Sequence, residues 1–422
     1  MPEASLDWDK RHAPRANSPR QGPLSHVRVL DLGRIMAAPW ATQILADLGA
    51  DVIKVERPGV GDDTRAWGPP FLATANGTTT GEAGYFLSVN RGKRSVTIDV
   101  SKPEGQAIVR RLAERSDILI ENYKTGALAR YGLDAASLRA LHPRLIYCSV
   151  TGFGQNGPRT EQAAYDFAIQ AMGGLMSVTG ERDDQPGGGP QKVGVPIVDL
   201  MTGMYAAVGI LAALAKRNES GVGDTIDLAM LDVQAAFLGN QAMNWLLTGK
   251  VPNRGGNRHP NIQPQDVFAC ADGFLVLAVG NDGQFGKLCR VLDRADWAGN
   301  ERFATNAARV RNNPELTSLL TARFLDFARD GLITALDAAG VPCAPINSIP
   351  QVFEDKQVRH RGMLQHLPHP TAGTVPQVVS PLRFEQSPLR FDRAPPLLGQ
   401  HTEEVLGALG LDIRALAEQG VI

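Results

Sequence analysis

The chain has 422 residues, and its charges nearly cancel, with 43 lysines and arginines against 44 aspartates and glutamates. A net charge of -1 provides no overall basic field, so we expect neither nucleic acid nor a membrane surface as a partner. The four cysteines are scattered without a CxxC pair. This argues against a zinc or disulfide site and suits a reducing compartment.

Residues 1–25 are polar and rich in proline and arginine, and they lack the apolar region of a secretory signal. We expect a flexible tail and a cytoplasmic protein, with the mitochondrial matrix left open for a eukaryotic source. The longest apolar stretch, Leu200–Ala215, is too short and too rich in glycine and alanine to predict a membrane span.

The next part of the chain alternates between strand and helix patterns. A β-branched run over Val27–Gly33, a helix ending at Gly49 and the strand Asp51–Glu56 predict a parallel βαβ unit. The alternation continues through the strand Arg94–Val100, the helix Lys102–Glu114, the strand Asp117–Asn122, the helix Ala135–Leu141 and the strand Leu145–Gly154. The pattern predicts a doubly wound parallel sheet with ligands at the carboxyl ends of its strands.

The periodicity then changes, which predicts a second domain. Residues 226–335 contain a helix (Val233–Thr248), a loop rich in Gly, Asn and Pro, the hairpin-like stretch "DVFACADGFLVLAVGN" and further helices. We expect a smaller α+β domain over 226–335 and a large domain over 26–225 and 336–422. In this division, "VPCAPINSI" marks the return to the large sheet.

One charged side chain, Asp199, lies in the apolar segment from Val193 to Leu214. A lone buried carboxylate is costly unless it is paired, hydrogen-bonded or functional. The pattern after it is helical, so Asp199 is predicted at the N-cap, where N–H groups and the helix dipole keep it ionised. An ionised carboxylate can attack a thioester and form a mixed anhydride. Position alone leaves the cap and the nucleophile open.

Other site signatures are weak. "RPGVGDD" follows a strand but does not match GxGxxG, although Arg57 in it could meet a phosphate or a purine. His360, His366 and His369 lie in a proline-rich loop without the spacing of metal ligands, and no GxSxG motif is present. We therefore predict no dinucleotide fingerprint, no metal and no serine-hydrolase triad.

Long blocks in conserved order carry a resemblance to a known family. They are "VRVLDLGRIMAAPWATQILADLGADVIKVERPGVGDDTR", "NRGKRSVTIDVSKPEG", "DILIENYKTGALARYGLD", "SVTGFGQNGP", "VGVPIVDLMTGMYAAVGILAALAKR" and "PLLGQHTEEVLGALG". Together they resemble the family III CoA-transferases, whose superfamily includes the α-methylacyl-CoA racemases. The resemblance implies an α/β fold with a large Rossmann-like domain built from both chain ends, a small domain and an interlinked homodimer.

The resemblance also implies roles for individual residues. Asp199 matches the catalytic aspartate, and Tyr165 matches a tyrosine close to the reacting centre. Positions that line the coenzyme A site fall on Ile35, Ala37, Arg57, Ile98, Asn122, Tyr123, Ala127, Arg130 and Met230. The glycine flap over the intermediate falls on Gly255 and Gly256, with Asn257, Arg258 and His259 beside it.

Some positions depart from the formyl-transferring members. Met36 stands in place of their glutamine near the oxalate site, and Thr151 and Ala163 stand where they place a lysine. Their run of four glycines is reduced to two. These departures argue against oxalate and formate, whereas Arg258 and His259 suit a second carboxylate.

The resemblance implies transfer of coenzyme A from an acyl-CoA, with succinyl-CoA as expected donor, to a dicarboxylate such as glutarate, itaconate or citramalate. Coenzyme A is then a substrate, and no permanently bound cofactor is expected. A racemase is the alternative, although Tyr165 replaces the histidine of its His-Asp pair and leaves Asp166 alone. A non-catalytic acyl-CoA-binding protein is the second alternative.

Overall fold

The computed structural model describes residues 21–74 and 76–422. The chain divides into two compact units. The first unit contains the described residues up to Gly174, together with Val193–Gly239 and Arg361–Ile422. The second unit contains Leu175–Lys192 and Asn240–His360.

The secondary-structure elements are numbered along the chain. The strands are β1 (Arg28–Asp31), β2 (Asp51–Glu56), β3 (Phe71–Ala73), β4 (Thr79–Ala83), β5 (Arg94–Thr97), β6 (Ile118–Glu121), β7 (Ile146–Thr151), β8 (Thr225–Ala229), β9 (Gln265–Cys270), β10 (Gly273–Ala278), β11 (Cys343–Pro345), β12 (Leu364–His369) and β13 (Gly373–Val378). The α-helices are α1 (Ala37–Asp47), α2 (Gly84–Leu87), α3 (Pro103–Glu114), α4 (Ala135–Leu141), α5 (Asp166–Met172), α6 (Leu175–Val178), α7 (Ile197–Ser220), α8 (Met230–Ala236), α9 (Gly239–Thr248), α10 (Asp282–Val291), α11 (Ala295–Gly299), α12 (Asn306–Arg311), α13 (Asn313–Phe324), α14 (Arg329–Ala338), α15 (Ile349–Glu354), α16 (Lys356–His360), α17 (Thr402–Gly407) and α18 (Ile413–Glu418).

The first unit is built on a six-stranded parallel sheet in the order β5-β2-β1-β6-β7-β8. This confirms the predicted α/β class and the parallel sheet. From β1 the order runs through β2 to β5 in one direction, and from β6 it runs through β7 to β8 in the other. The switch point therefore lies between β1 and β6, and in such sheets a crevice opens beyond it.

Side chains alternate between two cores on the faces of this sheet, as the period of a strand requires. Val29, Val52 and Ile118 point to the face covered by α1 and α7. Their neighbours Leu30 and Ile53 point to the opposite face, which carries α3, α4 and α17. Burial on both faces explains why these strands are almost uniformly apolar.

The start of the described chain differs from the expected flexible tail. Residues 1–20 of that tail lie outside the described residues, but residues 21–25 belong to the fold. Leu24 is buried, and its backbone N–H donates to the carbonyl of Leu48 at 2.9 Å. An apolar side chain packed against the end of α1 gives this short segment a defined place.

Helix α7 is longer than the stretch Leu200–Arg217 that is helical in pattern. It has 24 residues and ends at Gly221, whose φ of +73° suits a glycine C-cap. By length and composition alone it could cross a membrane, and half of its most apolar window is buried within the structure. It packs on α1 so closely that a Cβ at Gly203 would lie 2.7 Å from the Ala37 carbonyl oxygen.

The second unit contains an antiparallel sheet in the order β11-β10-β9. The predicted hairpin "DVFACADGFLVLAVGN" forms β9 and β10. The prediction that "VPCAPINSI" returns to the large sheet is wrong, because β11 from this stretch pairs with β10. Buried aromatic and leucine side chains, among them Phe268, Phe285 and Phe324, form a separate core under this sheet.

The compact units have boundaries that differ from the expected ranges. The predicted helix Val233–Thr248 is broken at Gly239, where φ is +52°, into α8 and α9. Helix α8 packs on α7, so the first unit continues to Gly239 rather than ending at 225. The chain returns to the first unit at Arg361, later than the expected 336, because β11, α15 and α16 precede the return.

Candidate active site

A cavity of about 370 Å³ opens in the first unit beyond the carboxyl ends of β2, β5 and β6. It is lined by Arg34, Lys54, Val55, Glu56, Arg57, Gly61, Asp62, Asp63, Ile98, Asp99, Val100, Ser101 and Tyr123. Its position at the switch point of a doubly wound sheet is the usual place for a ligand in this architecture.

The cavity brings together part of the predicted coenzyme A set. Arg57, Ile98 and Tyr123 line it directly. Ile35 reaches it through a backbone contact to the lining residue Asp62, and Asn122 is hydrogen-bonded to the lining residue Arg34. These residues come from segments that follow four different strands, as expected for a strand-end crevice.

The remaining members of that set are outside the lining. Ala37 and Met230 are buried at the starts of α1 and α8. Ala127 is half-buried in the loop after β6. Arg130 is exposed, and its guanidinium lies over the Tyr131 ring at 4.5 Å.

Asn122 fixes the loop after β1 through both ends of its amide. Its Oδ1 accepts from the backbone N–H of Arg34 at 2.8 Å, and its Nδ2 donates to the Arg34 carbonyl at 2.7 Å. The amide is therefore engaged with backbone. Asn122 shapes the cavity wall by holding Arg34 in place.

A chain of buried charges lies beneath the same loop. The Lys54 ammonium contacts Asp62 at 2.9 Å and donates to the Gly33 carbonyl at 2.7 Å. Lys93 contacts Asp31 at 3.0 Å. Burial opposes ionisation of Asp62, but the Lys54 ammonium and hydrogen bonds from Thr64 lower the pKa of Asp62 to about 2. Burial lowers the pKa of Lys93 to about 8 despite the nearby Asp31.

Asp199 lies in the first turn of α7, but not where the sequence predicted it. The helix begins at Ile197, so Asp199 is its third residue and the predicted N-cap is wrong. The Asp199 side chain is 9% exposed, and burial followed by the charge of Asp166 raises its pKa to about 7. The expectation that helix N–H groups keep Asp199 ionised is therefore also wrong.

Asp166 takes the backbone donors that Asp199 was expected to use. Its Oδ2 accepts from the N–H of Val198 at 2.8 Å and from the N–H of Asp199 at 3.2 Å. Its Oδ1 accepts from Gln170 Nε2 at 2.6 Å. Within residues 21–74 and 76–422, the Asp199 carboxylate itself receives no hydrogen bond. It is a poorly solvated carboxylate beside a second one.

Two tyrosines lie near this pair of carboxylates. Tyr165 is next to Asp166 in the sequence, and Tyr85 of α2 feels the charges of both. Tyr165 precedes α5 and is 64% exposed. Burial raises the pKa of Tyr85, and the charges of Asp199 and Asp166 raise it further. Tyr85 also packs edge-on against Trp67, with ring centroids 5.1 Å apart. Tyr85 thus lies within electrostatic range of both carboxylates.

The predicted flap residues lie in the second unit. Gly256 has φ +63° and donates its N–H to the Gly180 carbonyl at 3.2 Å, so this donor is in use. Arg258 Nε lies 3.7 Å from Asp266 Oδ2, a contact of opposite charges beyond hydrogen-bond distance. His259 Nδ1 accepts from the backbone N–H groups of Asn261 and Ile262. Gly255 and Asn257 complete the same turn.

Several residues of the site escaped the sequence reasoning. Lys54 carried a usable signal, since it is a charged residue between the apolar Ile53 and Val55 in the middle of a buried strand, whereas Asp62 lies in the loop after that strand and carried none. Glu121 gave the same signal, and burial raises its pKa to about 7 although Ser149 and the Tyr123 N–H donate to it. Tyr85 carried none. Across the described parts of the chain, no group of three His, Cys, Asp or Glu side chains is arranged to hold a metal ion.

The chain is similar to characterised enzymes over nearly its whole length. It is 50% identical to the succinate–glutarate CoA-transferase of Agrobacterium fabrum over 390 residues, which cover 92% of this chain and 96% of that protein. It is 40% identical to the human succinyl-CoA:glutarate CoA-transferase over 412 residues, 97% of this chain and 91% of that protein.

A solved structure matches the fold as well. The crystal structure of a CAIB/BAIF family protein from Brucella suis superposes with a TM-score of 0.80 at 47% identity and covers 92% of this chain and all of that one. Residues 24–402 match the sequence model of the CoA-transferase family III. On this match, the chain belongs to CoA-transferase family III and is a CoA-transferase.

Proposed function

We propose that this enzyme moves coenzyme A from succinyl-CoA to a dicarboxylate of the glutarate class, with Asp199 as covalent nucleophile. The names of the relatives support the substrates, since they act on succinate and glutarate. The observation that carries the nucleophile is the buried, poorly solvated carboxylate of Asp199 at the start of α7. A carboxylate without solvation is a stronger nucleophile than one in water.

The first half-reaction frees the donor acid. An oxygen of ionised Asp199 attacks the thioester carbonyl, the C–S bond breaks, and coenzyme A leaves as thiolate from a mixed anhydride. The thiolate then attacks the aspartyl carbonyl of that anhydride. The bond between the aspartyl carbonyl carbon and the bridging oxygen breaks, so succinate leaves with that oxygen and coenzyme A remains as a thioester on Asp199.

The second half-reaction reverses these steps with the acceptor. The acceptor carboxylate attacks the aspartyl thioester and expels the thiolate, which then attacks the acceptor acyl carbonyl. The new acyl-CoA leaves and the Asp199 carboxylate is regenerated. No net proton is consumed and the thioester energy is conserved, so the cycle needs no ATP.

Each tetrahedral intermediate needs hydrogen-bond donors for its oxyanion. The first N–H groups of α7 are held by Asp166, and the N–H of Gly256 is held by Gly180. Helix α1 has no side-chain cap, and its first turn packs against α7 at Gly203. We assign the oxyanion to the N–H groups of Ala37 and Ala38.

The cavity at the ends of β2, β5 and β6 is the proposed coenzyme A site. Arg57 and the exposed Arg130 supply charges for its phosphates, and Ile98 and Tyr123 supply apolar walls. Ile35, Ala37, Asn122, Ala127 and Met230 complete the proposed site. Arg258 and His259 are the proposed partners of the distal carboxylate of a dicarboxylate. Tyr165, Gly255, Gly256 and Asn257 are proposed substrate residues on the basis of the family resemblance.

The geometry of Asp166 argues against the racemase alternative. A racemase needs two groups free to take and return a proton at the α-carbon. Both oxygens of Asp166 already accept hydrogen bonds from Gln170 and from the backbone of α7. Asp166 therefore serves as an acceptor of fixed hydrogen bonds, which leaves Asp199 alone.

We further propose that the working enzyme is a homodimer. On α7, the large side chains of Met204, Tyr205 and Val208 are 44%, 44% and 59% exposed. On α9, Leu246 and Leu247 are 64% and 78% exposed. Clusters of exposed apolar side chains on a folded chain are typical of subunit interfaces. We expect a cytoplasmic enzyme, or one in the mitochondrial matrix of a eukaryote, since its four cysteines are free.

The function is tested by incubating the enzyme with succinyl-CoA and a panel of mono- and dicarboxylic acids, followed by mass spectrometry of the CoA esters. We expect glutaryl-CoA and esters of similar diacids. Transfer to monocarboxylates alone would exclude the dicarboxylate assignment. Binding of succinyl-CoA without any exchange would identify a binding protein instead.

The nucleophile is tested by intact-protein mass spectrometry after addition of succinyl-CoA alone. The wild type should carry coenzyme A as a covalent adduct, and Asp199→Asn should carry none and lack exchange. Asp224→Asn, an exposed carboxylate of the same unit, is the matched control and should behave as the wild type. An active Asp199→Asn enzyme contradicts the covalent mechanism.

A further inference from the structure

The N-terminus of α7 is capped from another helix. Pro196, the residue at its N-cap, provides no side-chain hydrogen bond. Instead Asp166, the first residue of α5, accepts from the N–H groups of Val198 and Asp199 at 2.8 and 3.2 Å. A helix normally receives this cap from the residue just before it. Here the donors that need a partner are satisfied by a side chain from a distant part of the sequence.

Gln170 extends this contact on both sides. Gln170 is fully buried; its Nε2 donates to Asp166 Oδ1 at 2.6 Å and its Oε1 accepts from the Val193 N–H at 2.9 Å. Asp166 and Gln170 are one helical turn apart on α5. They therefore hold the segment that leads into α7 at its start, Val193, and at its end, Asp199.

Apolar packing holds the same two helices together. Ile169 of α5, Val198 of α7 and Met230 of α8 form a buried cluster. Ile169 and Val198 are the neighbours of Gln170 and Asp199 in sequence. The hydrogen bonds of the half-buried Asp166 therefore lie beside an apolar cluster, which limits their contact with water.

We propose that Asp166 is a positioning residue that fixes the backbone of Asp199 and so directs its carboxylate at the reacting carbonyl. The proposal rests on the proposed function, in which Asp199 is the nucleophile. Displacing a reacting group by about 1 Å costs on the order of 10²-fold in rate, so the cap has a kinetic consequence beyond helix stability.

Asp166 also acts on Asp199 through its charge. The titratable groups that face Asp199 are Asp166 on α5 and Tyr85 on α2. Burial is the larger cause of the raised pKa of Asp199, and the negative charge of Asp166 adds to it. The capping carboxylate thus makes the nucleophile more basic while it holds it in place.

Two substitutions separate the cap from the charge. Asp166→Asn keeps an oxygen that can accept from the N–H groups of α7, but it gives up the hydrogen bond from Gln170 Nε2 and removes the charge, so the pKa of Asp199 falls. The acidic limb of the kcat–pH profile should then move to lower pH. Asp166→Ala removes both, and kcat should fall on the order of 10²-fold with the KM for succinyl-CoA unchanged within about threefold.

The matched control is Asp412, whose carboxylate caps α18 by accepting from the Ala415 N–H at 3.1 Å. Asp412→Asn removes the charge of a helix-capping carboxylate that has no nucleophile beside it. Its kcat and its pH profile should equal those of the wild type. A shift in this control equal to that of Asp166→Asn would overturn the proposal, since any cap would then act alike.

Failure of this proposal is distinguishable from failure of the proposed function. If the wild type exchanges coenzyme A and Asp199→Asn does not, yet both Asp166 variants match the wild type, only the role of Asp166 is refuted. If the wild type forms no adduct, the proposed mechanism itself has failed. Asp166→Asn preserves side-chain volume, so an unmoved acidic limb in that variant refutes the effect of the Asp166 charge on Asp199 even if Asp166→Ala does not fold. A folded Asp166→Ala enzyme with the kcat of the wild type refutes the positioning role.

Discussion

The backbone N–H of Ile35 donates to the carboxylate of Asp62, at 3.3 Å from one oxygen and 3.2 Å from the other. Ile35 has φ +69°, in the left-handed region that is costly for a β-branched side chain. Asp62 in turn is 2% exposed and holds the buried ammonium of Lys54. A buried ion pair therefore maintains a strained turn at the edge of the proposed coenzyme A cavity.

This relationship predicts a large loss of stability for Asp62→Asn. Removing one partner of a buried ion pair leaves the other charge uncompensated, which costs roughly 3–5 kcal/mol of the free energy of unfolding. The adjacent Asp63 provides the matched control, since it pairs with Arg34 but its side chain is 41% exposed. Asp63→Asn should cost less than about 1 kcal/mol. Urea unfolding of both variants at neutral pH measures the difference, and equal losses would contradict the buried-pair account.

The same pair predicts how stability depends on acid. The Lys54 ammonium and the Thr64 hydrogen bonds lower the pKa of Asp62 from 3.8 to about 2, so the folded state binds this proton less readily than the unfolded chain. The contribution of Asp62 is present above pH 3.8 and is lost as the pH falls towards 2. The gap in unfolding free energy between wild type and Asp62→Asn should therefore narrow over this range.

Asp199 has the opposite effect on the pH dependence of stability. Burial and the charge of Asp166 raise its pKa from 3.8 to about 7, so ionised Asp199 destabilises the folded state above pH 7 and costs nothing below 3.8. Asp199→Asn should be more stable than the wild type by as much as about 4 kcal/mol at about pH 8. The gain should disappear at about pH 4. Glu219→Gln, exposed on the same helix, is the control and should show no such pH-dependent gain in urea unfolding.

The parallel sheet was predictable because its signals are local. The runs that form β1, β2, β5, β6 and β7 are short, β-branched and separated by helical patterns, and a parallel connection leaves few alternatives for such an order. Strand β11 has three residues and pairs with β10, far away in sequence. So short a strand carries no periodicity, which is why its sheet was assigned wrongly.

The candidate site likewise contains residues that could be identified from the sequence and residues that could not. Asp199 was identifiable because it is a lone charge in an apolar segment, and Arg57 because it follows a strand end, where a crevice is expected. Ile98 and Tyr123 were assigned only through the resemblance to the family. The cap by Asp166 was not identifiable, since its partners lie 32 and 33 residues further along the chain. The shift in the pKa of Asp199 was likewise predicted with the wrong sign, because burial and the charge of Asp166 raise it and the donors of α7 that would have lowered it are taken by Asp166.

Asn122 provides a test of the proposed coenzyme A site. Its amide both accepts from and donates to the backbone of Arg34, so Asn122→Asp keeps the acceptor but sets a second oxygen against the Arg34 carbonyl. We expect the KM for succinyl-CoA to rise roughly tenfold, which corresponds to the loss of one buried hydrogen bond and an unfavourable contact. The kcat should stay within about threefold, because Asn122 does not touch the reacting atoms in the proposed mechanism. A fall in kcat with unchanged KM would contradict its assignment to the binding site.

The contact between α1 and α7 predicts opposite effects for two glycine substitutions on one helix. A Cβ at Gly203 would lie 2.7 Å from the Ala37 carbonyl oxygen and 2.8 Å from Trp40 Cδ1, so Gly203→Ala must push the helices apart. We expect a loss of about 1–3 kcal/mol in the free energy of unfolding, typical of overpacking, together with a lower kcat as Asp199 moves away from α1. Gly209 has only ordinary contacts at 3.6 Å to Ile226, so Gly209→Ala should stabilise the helix by about 0.5–1 kcal/mol. Urea unfolding and exchange assays on both variants decide this, and a stabilised, fully active Gly203→Ala enzyme would show that the two helices do not hold the nucleophile in place.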